Sequence, residues 1–180
     1  MKKKYIKKLS FVENLIENFK NLNLSEINRA FAIIKSQRKN NKIILCGNGA
    51  SASIANHISV DLTKAAKKRA ITFNESNLIT CYSNDFKYEN WLKEAIKSYA
   101  LKNDILILIS SSGRSKNVIN AGNYARKIGL KVITLSGFNK KNPLKKIGHV
   151  NIHVDSKNYN LIEVTHLGIL CQIVEALIKK

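Results

Sequence analysis

Apolar residues recur along this chain with two different spacings. In residues 5–22 and 25–39 they return every three or four positions, which predicts two amphipathic helices. Further along, short runs of Ile, Leu and Val alternate with helical patterns. The runs that predict strands are 42–46, 70–73, 78–82, 105–109, 131–136 and 149–154. Helices are predicted at 51–66, 86–101, 115–128 and 159–179, with a short helical turn at 142–148.

Strands that alternate with helices and are apolar throughout are typical of a parallel sheet covered on both faces. We therefore expect an α/β fold, a three-layer α/β/α sandwich with right-handed crossovers. The two leading helices precede every strand and have little sheet to cover. We expect residues 1–40 to be a helical oligomerisation segment of a single domain that spans residues 1–180.

Composition narrows the class of protein. A chain of 180 residues with 44% hydrophobic residues suits one domain with a full core. No run of 18 apolar residues is present, so no transmembrane helix is expected, and the basic start does not lead into a signal-peptide pattern. Three widely separated cysteines argue against a disulfide framework and favour a reducing cytoplasm.

The net charge of +19 is compatible with nucleic acid, an anionic membrane surface or an anionic small substrate. The lysines are scattered, and no basic block is interleaved with aromatic residues. Solvated helix faces are therefore the favoured explanation, and neither nucleic acid nor a membrane is an expected partner. The charge would still attract a phosphate ester.

Two loops carry candidate chemistry, because each follows a predicted strand and opens a helix. They are CGNGASASIANHISVD at 46–61 and SSSGRS at 110–115. Gly47 and Gly49 allow a tight turn, Ser115 suits a helix cap, and free N–H groups at a helix start favour an anion. Neither loop fits a nucleotide-binding pattern. Each alone could be an ordinary cap and turn, but two such loops after core strands predict a phosphate site.

Imidazole, carboxylate and thiol groups recur at helical spacing. His57 and Asp61 are four residues apart, about 40° around a helix axis. Glu163, His166 and Cys171 share the last helix, with Glu163 and Cys171 about 80° apart. Together they could bind zinc or transfer protons. Each alone could instead be a core histidine or a carboxylate favoured by the helix dipole.

Several stretches resemble the SIS (sugar isomerase) domain, and more narrowly the phosphoheptose isomerases. They are ILCGNGASASIANH (44–57), YSNDF (82–86), LILISSSGRSKNVINA (106–121) and the final helix. The resemblance covers nearly the whole chain. It implies a five-stranded, flavodoxin-like parallel sheet, one strand fewer than the apolar runs predict. It also implies a homotetramer with active sites between subunits, a phosphorylated sugar as substrate and one possible zinc ion per subunit.

The resemblance also implies roles for individual residues. The positions that match phosphate-binding residues are Ser51, Ser110, Ser111, Ser112 and Ser115. Other positions on the substrate side are Asn48 and Asp85, which frame the sugar, and Asn160 and Glu163 on the last helix. The positions that match metal ligands are His57, Asp61, Glu163 and Cys171. The catalytic positions are Asp61 as base, Cys171 where the family has a histidine acid, and His166 as a second acid–base group.

Two of these positions depart from the family pattern. Asp61 is one methylene shorter than the family's glutamate, and a metal-bound thiolate at Cys171 would be a poor general acid at neutral pH. Two functions therefore stay open. One is a phosphosugar isomerase, in which Asp61 or Glu163 removes a proton beside the carbonyl of a ketose phosphate such as sedoheptulose 7-phosphate, giving an enediol. The other is a catalytically impaired module that binds a phosphosugar or a partner protein such as a replication initiator.

Overall fold

The computed structural model describes residues 10–178, and in that range the chain forms seven α-helices, five strands and one 3₁₀ turn. The helices are α1 (Phe11–Lys20), α2 (Leu24–Lys35), α3 (Ala50–Lys64), α4 (Ser76–Phe86), α5 (Trp91–Tyr99), α6 (Lys116–Lys127) and α7 (Tyr159–Ile178). The strands are β1 (Ile43–Cys46), β2 (Ala70–Thr72), β3 (Ile105–Ser110), β4 (Lys131–Ser136) and β5 (Val150–His153). The 3₁₀ turn covers Leu144–Lys146.

The five strands form one parallel sheet in the order β2-β1-β3-β4-β5. After β1 the chain first pairs on one side with β2 and then crosses to the other side, where β3 lies against β1 with Leu45 opposite Ile107. The strand order therefore reverses between β1 and β3. In open α/β sheets, ligands bind at the carboxyl ends of the strands that flank such a reversal.

The predicted three layers are confirmed by how the central strands are buried. Every residue of β1 and β3 is buried, as expected of strands covered on both faces. Ile43 and Leu45 pack into a cluster with α2, α3 and α7, whereas Ile44 and Cys46 pack into a second cluster with α5 and α6. The alternating direction of side chains along a strand thus supplies both cores from one short sequence.

The strand predicted at 78–82 is wrong, since these residues lie inside α4. Leu78, Ile79 and Tyr82 are only partly buried, and they pack at helical spacing against the second cluster. A short apolar run has no periodicity that separates a strand from one side of a helix. The helix predicted at 86–101 is also shorter, because Lys87 takes a positive φ of 68° and α5 begins at Trp91.

The two leading helices differ in what they cover. In α2, Ile27, Ala30 and Ile34 are buried in the first cluster, so this helix does cover the sheet, contrary to the sequence expectation. In α1 no residue is buried, and Phe19 rests on Gly168 of α7, where an added Cβ would lie 2.5 Å from the ring. Residues 5–9 of the predicted first helix lie outside the described range.

Helix α7 is, by length and composition, the one helix among residues 10–178 that could cross a membrane. The sequence expectation of no transmembrane helix rested on the lack of an unbroken apolar run, and His166 and two glutamates interrupt the apolar residues of this helix. In the fold, Ile162, Ile169 and Ile173 are buried in the first cluster. This is the packing of a core helix, which explains why its residues are apolar around most of the axis.

Candidate active site

A cavity of about 190 Å³ opens at the carboxyl ends of β1 and β3, where the strand order reverses. We call it the serine cavity, and it is lined by Asn48, Ser51, Ile109, Ser110, Ser111, Ser112, Ser115, Tyr159 and Glu163. Seven of the nine predicted substrate-binding residues are in this set. They come from three separate parts of the chain, which meet because parallel strands end at the same edge of the sheet.

The loop after β3 is held in one conformation by its glycine and by a buried amide. Gly113 has a φ of +63°, and its N–H donates to the carbonyl of Ser110 across 2.9 Å. A Cβ at this position would collide with the side chain of Asn142. The amide of Asn142 is itself fixed, since its Nδ2 donates to Ser136 Oγ at 3.0 Å and to the carbonyl of Asn139 at 2.8 Å.

The serine hydroxyls of this loop turn toward each other and toward the cavity. Ser110 Oγ and Ser115 Oγ lie 3.2 Å apart, and Ser112 Oγ accepts from the backbone N–H of Arg114 at 3.2 Å. Ser115 occupies the cap position of α6, as predicted, but its hydroxyl makes no capping bond. The first N–H groups of α6 and the serine hydroxyls therefore lie close together with donors left for a ligand, an arrangement that suits a phosphate group.

The loop after β1 contributes Asn48, which is positioned by a residue that the sequence reasoning missed. Asn48 and Asn117 exchange two side-chain hydrogen bonds, of 3.0 and 2.9 Å, and Asn117 is 2% exposed. Tyr88 adds a bond from its hydroxyl to Asn48 Oδ1 at 3.3 Å. The sequence signal available for Asn117 was its position as a polar residue in the first turn of α6, after the serine loop. Its pairing with Asn48 could be seen only in the folded structure.

Glu163 places a carboxylate in the serine cavity. Ser111 Oγ donates to Glu163 Oε1 across 3.4 Å, which joins the loop after β3 to the first turns of α7. Tyr159, one turn earlier on α7 and 56% exposed, also lines the cavity and was not predicted from the sequence. The cavity thus combines hydroxyls that suit an anion with one group that can accept a proton.

His57, Asp61 and Cys171 lie on facing helices outside the serine cavity. His57 Nε2 is 3.3 Å from Asp61 Oδ2 on α3, and both side chains are well exposed. The pKa of the Cys171 thiol is raised by burial and then by the negative charges of Asp61 and Glu175. The thiol is therefore protonated at neutral pH, unless a metal or a cation displaces the proton.

The predicted zinc ligands do not converge within one chain. Among residues 10–178, no three His, Cys, Asp or Glu side chains lie together as a metal site requires. Glu163 lies in the serine cavity, and eight residues of helix raise Cys171 about 12 Å further along the axis of α7. Zinc needs ligands at about 2.0–2.3 Å. The arrangement within one chain therefore does not fit the ion.

The other predicted residues lie away from the serine cavity. His166 is fully buried, its Nε2 is 3.3 Å from the carbonyl of Ser136, and burial lowers its pKa to about 4. Asp85 is exposed on α4 and accepts from the amide of Asn84 at 3.0 Å. Asn160 is exposed on the first turn of α7. Within one chain, none of the three reaches the serine cavity.

Comparison with known proteins shows the family to which the chain belongs. The sequence profile described as SIS domain matches residues 5–137. A phosphoheptose isomerase of Buchnera aphidicola subsp. Schizaphis graminum is 34% identical over 183 aligned positions, which cover 96% of this chain and 92% of the relative. A phosphoheptose isomerase of Helicobacter pylori (strain HPAG1) is 33% identical over 150 positions, covering 79% of this chain and 78% of the relative.

A solved structure extends the comparison to three dimensions. A phosphoheptose isomerase from Francisella tularensis superposes with a TM-score of 0.87 at 26% identity, over 99% of this chain and 98% of that one. The matches in sequence and in structure both run through the loops that form the serine cavity. The resemblance inferred from the motifs is thereby confirmed, and the chain belongs to the SIS domain family, among the phosphoheptose isomerases.

Proposed function

We propose that this chain is a phosphosugar isomerase that converts a ketose phosphate, such as sedoheptulose 7-phosphate, to an aldose phosphate. The contact between Ser111 and Glu163 is the main support for the proposal, because it places a proton-accepting carboxylate beside the hydroxyls that would bind phosphate. The phosphoheptose isomerase relatives support the same reaction class. The absence of a nucleotide-binding pattern from both loops agrees with a small phosphate ester as the ligand.

The phosphate would be bound by the hydroxyls of the β3 loop and the first N–H groups of α6. Ser110, Ser112 and Ser115 offer donors from one side, and Ser51 lies across the serine cavity at the start of α3. Such groups bind an anion without a lysine clamp. The net charge of +19 would raise the local concentration of an anionic substrate.

The proton transfer would use a carboxylate base. The base removes a proton from C1 of the ketose, beside the C2 carbonyl, which gives an enediol. The base, now protonated and able to exchange its proton with solvent, then gives a proton to C2, while the hydroxyl proton on O1 moves to O2 and leaves an aldehyde at C1. Of the two predicted bases, Glu163 is the one in the serine cavity of the same chain. Asp61 is paired with His57 and does not line this cavity. It could act as the base only in an assembly in which Asp61 of a second copy lies at the serine cavity of the first.

An assembly of several copies would bring the second group of residues into use. The helix α1 exposes Phe11, Val12, Ile16 and Phe19 and has no buried residue, so its apolar side chains are left for a partner. We propose the homotetramer as that assembly, in the cytoplasm. In it, the group formed by His57, Asp61 and Cys171 of one copy faces the serine cavity of another. Zinc as a cofactor would then require ligands from two chains.

Exchange of substrate hydrogen with solvent tests the isomerase proposal directly. The full-length protein is incubated with sedoheptulose 7-phosphate in heavy water, and deuterium at C1 is followed by nuclear magnetic resonance. Deuterium uptake together with aldose phosphate is the expected result. Absence of both, with substrate at saturating concentration, would refute the proposal.

A second function has its own supporting observations. Cys171 does not line the serine cavity and His166 is fully buried, so within one chain the predicted acids do not reach that cavity. These features favour a module that binds a phosphosugar, or a partner protein such as a replication initiator, without turning a sugar over. Tight binding of sedoheptulose 7-phosphate by calorimetry, with no deuterium uptake, would support this function.

A further inference from the structure

A second cavity, of about 530 Å³, lies beside the carboxyl end of the edge strand β5. We call it the β5 cavity. It is bounded by the turn that joins α1 and α2, by the segment after β4 and by the end of β5. It shares no lining residue with the serine cavity. Its lining is polar except for Leu22, so its chemistry differs from that of an ordinary packing defect.

The charged groups of the β5 cavity leave one cation without a partner. Lys140 Nζ is bound to Asp155 Oδ2 at 2.7 Å, so these two charges neutralise each other. Lys145, which is half-buried, forms no ion pair with any residue in the described range. The local balance is therefore one positive charge, and an anion is the ligand that would neutralise it.

The hydrogen bonds around His153 leave it with an unused donor in this cavity. Asn142 Nδ2 donates to Ser136 Oγ at 3.0 Å, so the hydroxyl proton of Ser136 is free to turn to His153 Nδ1, 3.5 Å away. Burial, and next the charge of Lys145, lower the pKa of His153, so the ring carries a single proton at neutral pH. With Nδ1 as the acceptor, that proton lies on Nε2.

Two donors of the lining thus have no acceptor. His153 Nε2 and Asn18 Nδ2 are shielded from bulk water and have no hydrogen-bond partner among residues 10–178. Buried donors without partners are uncommon in folded proteins, since losing water without replacing it costs free energy. Both side chains line the β5 cavity, so a ligand in this cavity is the acceptor available to them.

We propose that the β5 cavity is a second binding site, which takes the phosphate group of a small metabolite. A phosphate has several acceptor oxygens in different directions, and so can receive bonds from Lys145, His153 and Asn18 together. The negative charge of a phosphate would neutralise the positive charge of Lys145, which has no ion pair within residues 10–178. This site is independent of the proposed isomerase activity, because its residues take no part in the serine cavity.

Equilibrium dialysis of the full-length protein with radiolabelled inorganic phosphate tests the proposal. Two phosphates per chain are expected, one for each cavity. Lys145→Gln should weaken one of the two sites about tenfold, the effect of losing one charge-assisted bond. The matched control is Lys146→Gln, since Lys146 is the exposed neighbour on the same 3₁₀ turn and does not line the cavity. Ser112→Ala should weaken only the other site.

A second variant guards against a folding defect in the first. Asn18→Asp replaces a donor with a negative charge and should weaken the same site as Lys145→Gln, with unchanged circular dichroism. The proposal is overturned if the wild-type protein binds only one phosphate per chain. That result is expected if a second copy of the chain, and not a phosphate, occupies the β5 cavity. The proposal is equally overturned if Lys146→Gln has the same effect as Lys145→Gln.

Discussion

The hydroxyl of Ser111 donates a hydrogen bond to the carboxylate of Glu163, with 3.4 Å between Oγ and Oε1. These residues are 52 positions apart in the chain, one at the end of a central strand and the other on the last helix. Their contact lies in the serine cavity, so the hydroxyls proposed to bind phosphate and a carboxylate that can accept a proton line the same space.

Glu163→Gln should lower the rate of deuterium uptake into the sugar about a hundredfold or more, the usual contribution of a general base. Phosphosugar binding, measured by calorimetry, should change little, because the amide still accepts from Ser111. Glu75→Gln is the matched control, since Glu75 is an exposed glutamate that does not line the serine cavity. A rate equal to that of the wild type would show that Glu163 is not the base.

Gly113→Ala should destabilise the protein and weaken phosphate binding together. The positive φ and the collision of a Cβ with Asn142 predict a loss of about 1–3 kcal/mol in the free energy of unfolding. Gly129→Ala separates the two causes, since Gly129 has a φ of +86° but its Cβ would only touch Lys102 at 3.6 Å. Urea unfolding should rank Gly113→Ala as the more damaging change. The reverse order would contradict the role given to Asn142.

Cys171→His should raise turnover about tenfold or more, if the thiol limits proton transfer. The pKa of the thiol is raised by burial and by Asp61, whereas an imidazole beside a carboxylate titrates near neutrality. The initial rate with sedoheptulose 7-phosphate measures the effect, and Cys81→His, at an exposed cysteine, controls for a histidine added elsewhere. An unchanged rate would remove Cys171 as the cause of impaired catalysis.

His166 should make folding stability sensitive to acid. Its pKa is about 4 in the folded protein, below the usual value of 6.5, because burial disfavours the charged ring. The unfolded chain therefore binds the proton more readily, so the stability is complete above about pH 6.5 and falls as the pH drops toward 4. The loss reaches about 3 kcal/mol.

Urea unfolding at pH 7.0, 5.5 and 4.5 (roughly spanning the titration of a histidine) measures this slope. His166→Gln keeps a donor for the carbonyl of Ser136 and should have a shallower dependence than the wild type. Two other histidines, His149 and His153, also have lowered pKa values and contribute to the slope of both proteins. Identical slopes for the wild type and the variant would contradict the assignment to His166.

Zinc, still a prediction, should depend on the assembly of several chains. If the ion is bound, His57→Ala should remove it and His149→Ala should not, as measured by plasma mass spectrometry of the purified protein. The oligomer should then dissociate or lose metal when chelator is added, because no three ligands lie together within residues 10–178 of one chain. A metal-free protein with full activity would exclude the ion from the reaction.

Much of the fold, and most of the residues that line the serine cavity, could be predicted from the sequence. The run at 105–109 is apolar at every position, which is typical of a strand covered on both faces, and the serine and glycine residues that follow it favour a strand that ends there. The serines follow it directly, so their place at the edge of the sheet was fixed once the strand was identified. Helical spacing singled out Glu163 and the family pattern assigned it to the substrate side, but its contact with Ser111 needed the fold.

Other features depended on contacts between distant parts of the chain. Residues 78–82 have the composition of a strand, yet they form a helix because Leu78 and Tyr82 find partners on one side of it. The pairing of Asn48 with Asn117 depends on two loops that meet only in the fold.

The sequence by itself determined the five strands of the sheet and the local chemistry of the serine loop, because both depend on neighbours along the chain, although it also predicted a strand at 78–82 where the structure has a helix. Only the tertiary structure decided that His166 is enclosed in the core and that Lys145, His153 and Asn18 share a cavity. Burial and donor pairing are properties of three-dimensional packing, and residues such as Asn18 and His153 are separated by most of the chain. Their chemistry therefore exists only once the sheet and its helices have assembled.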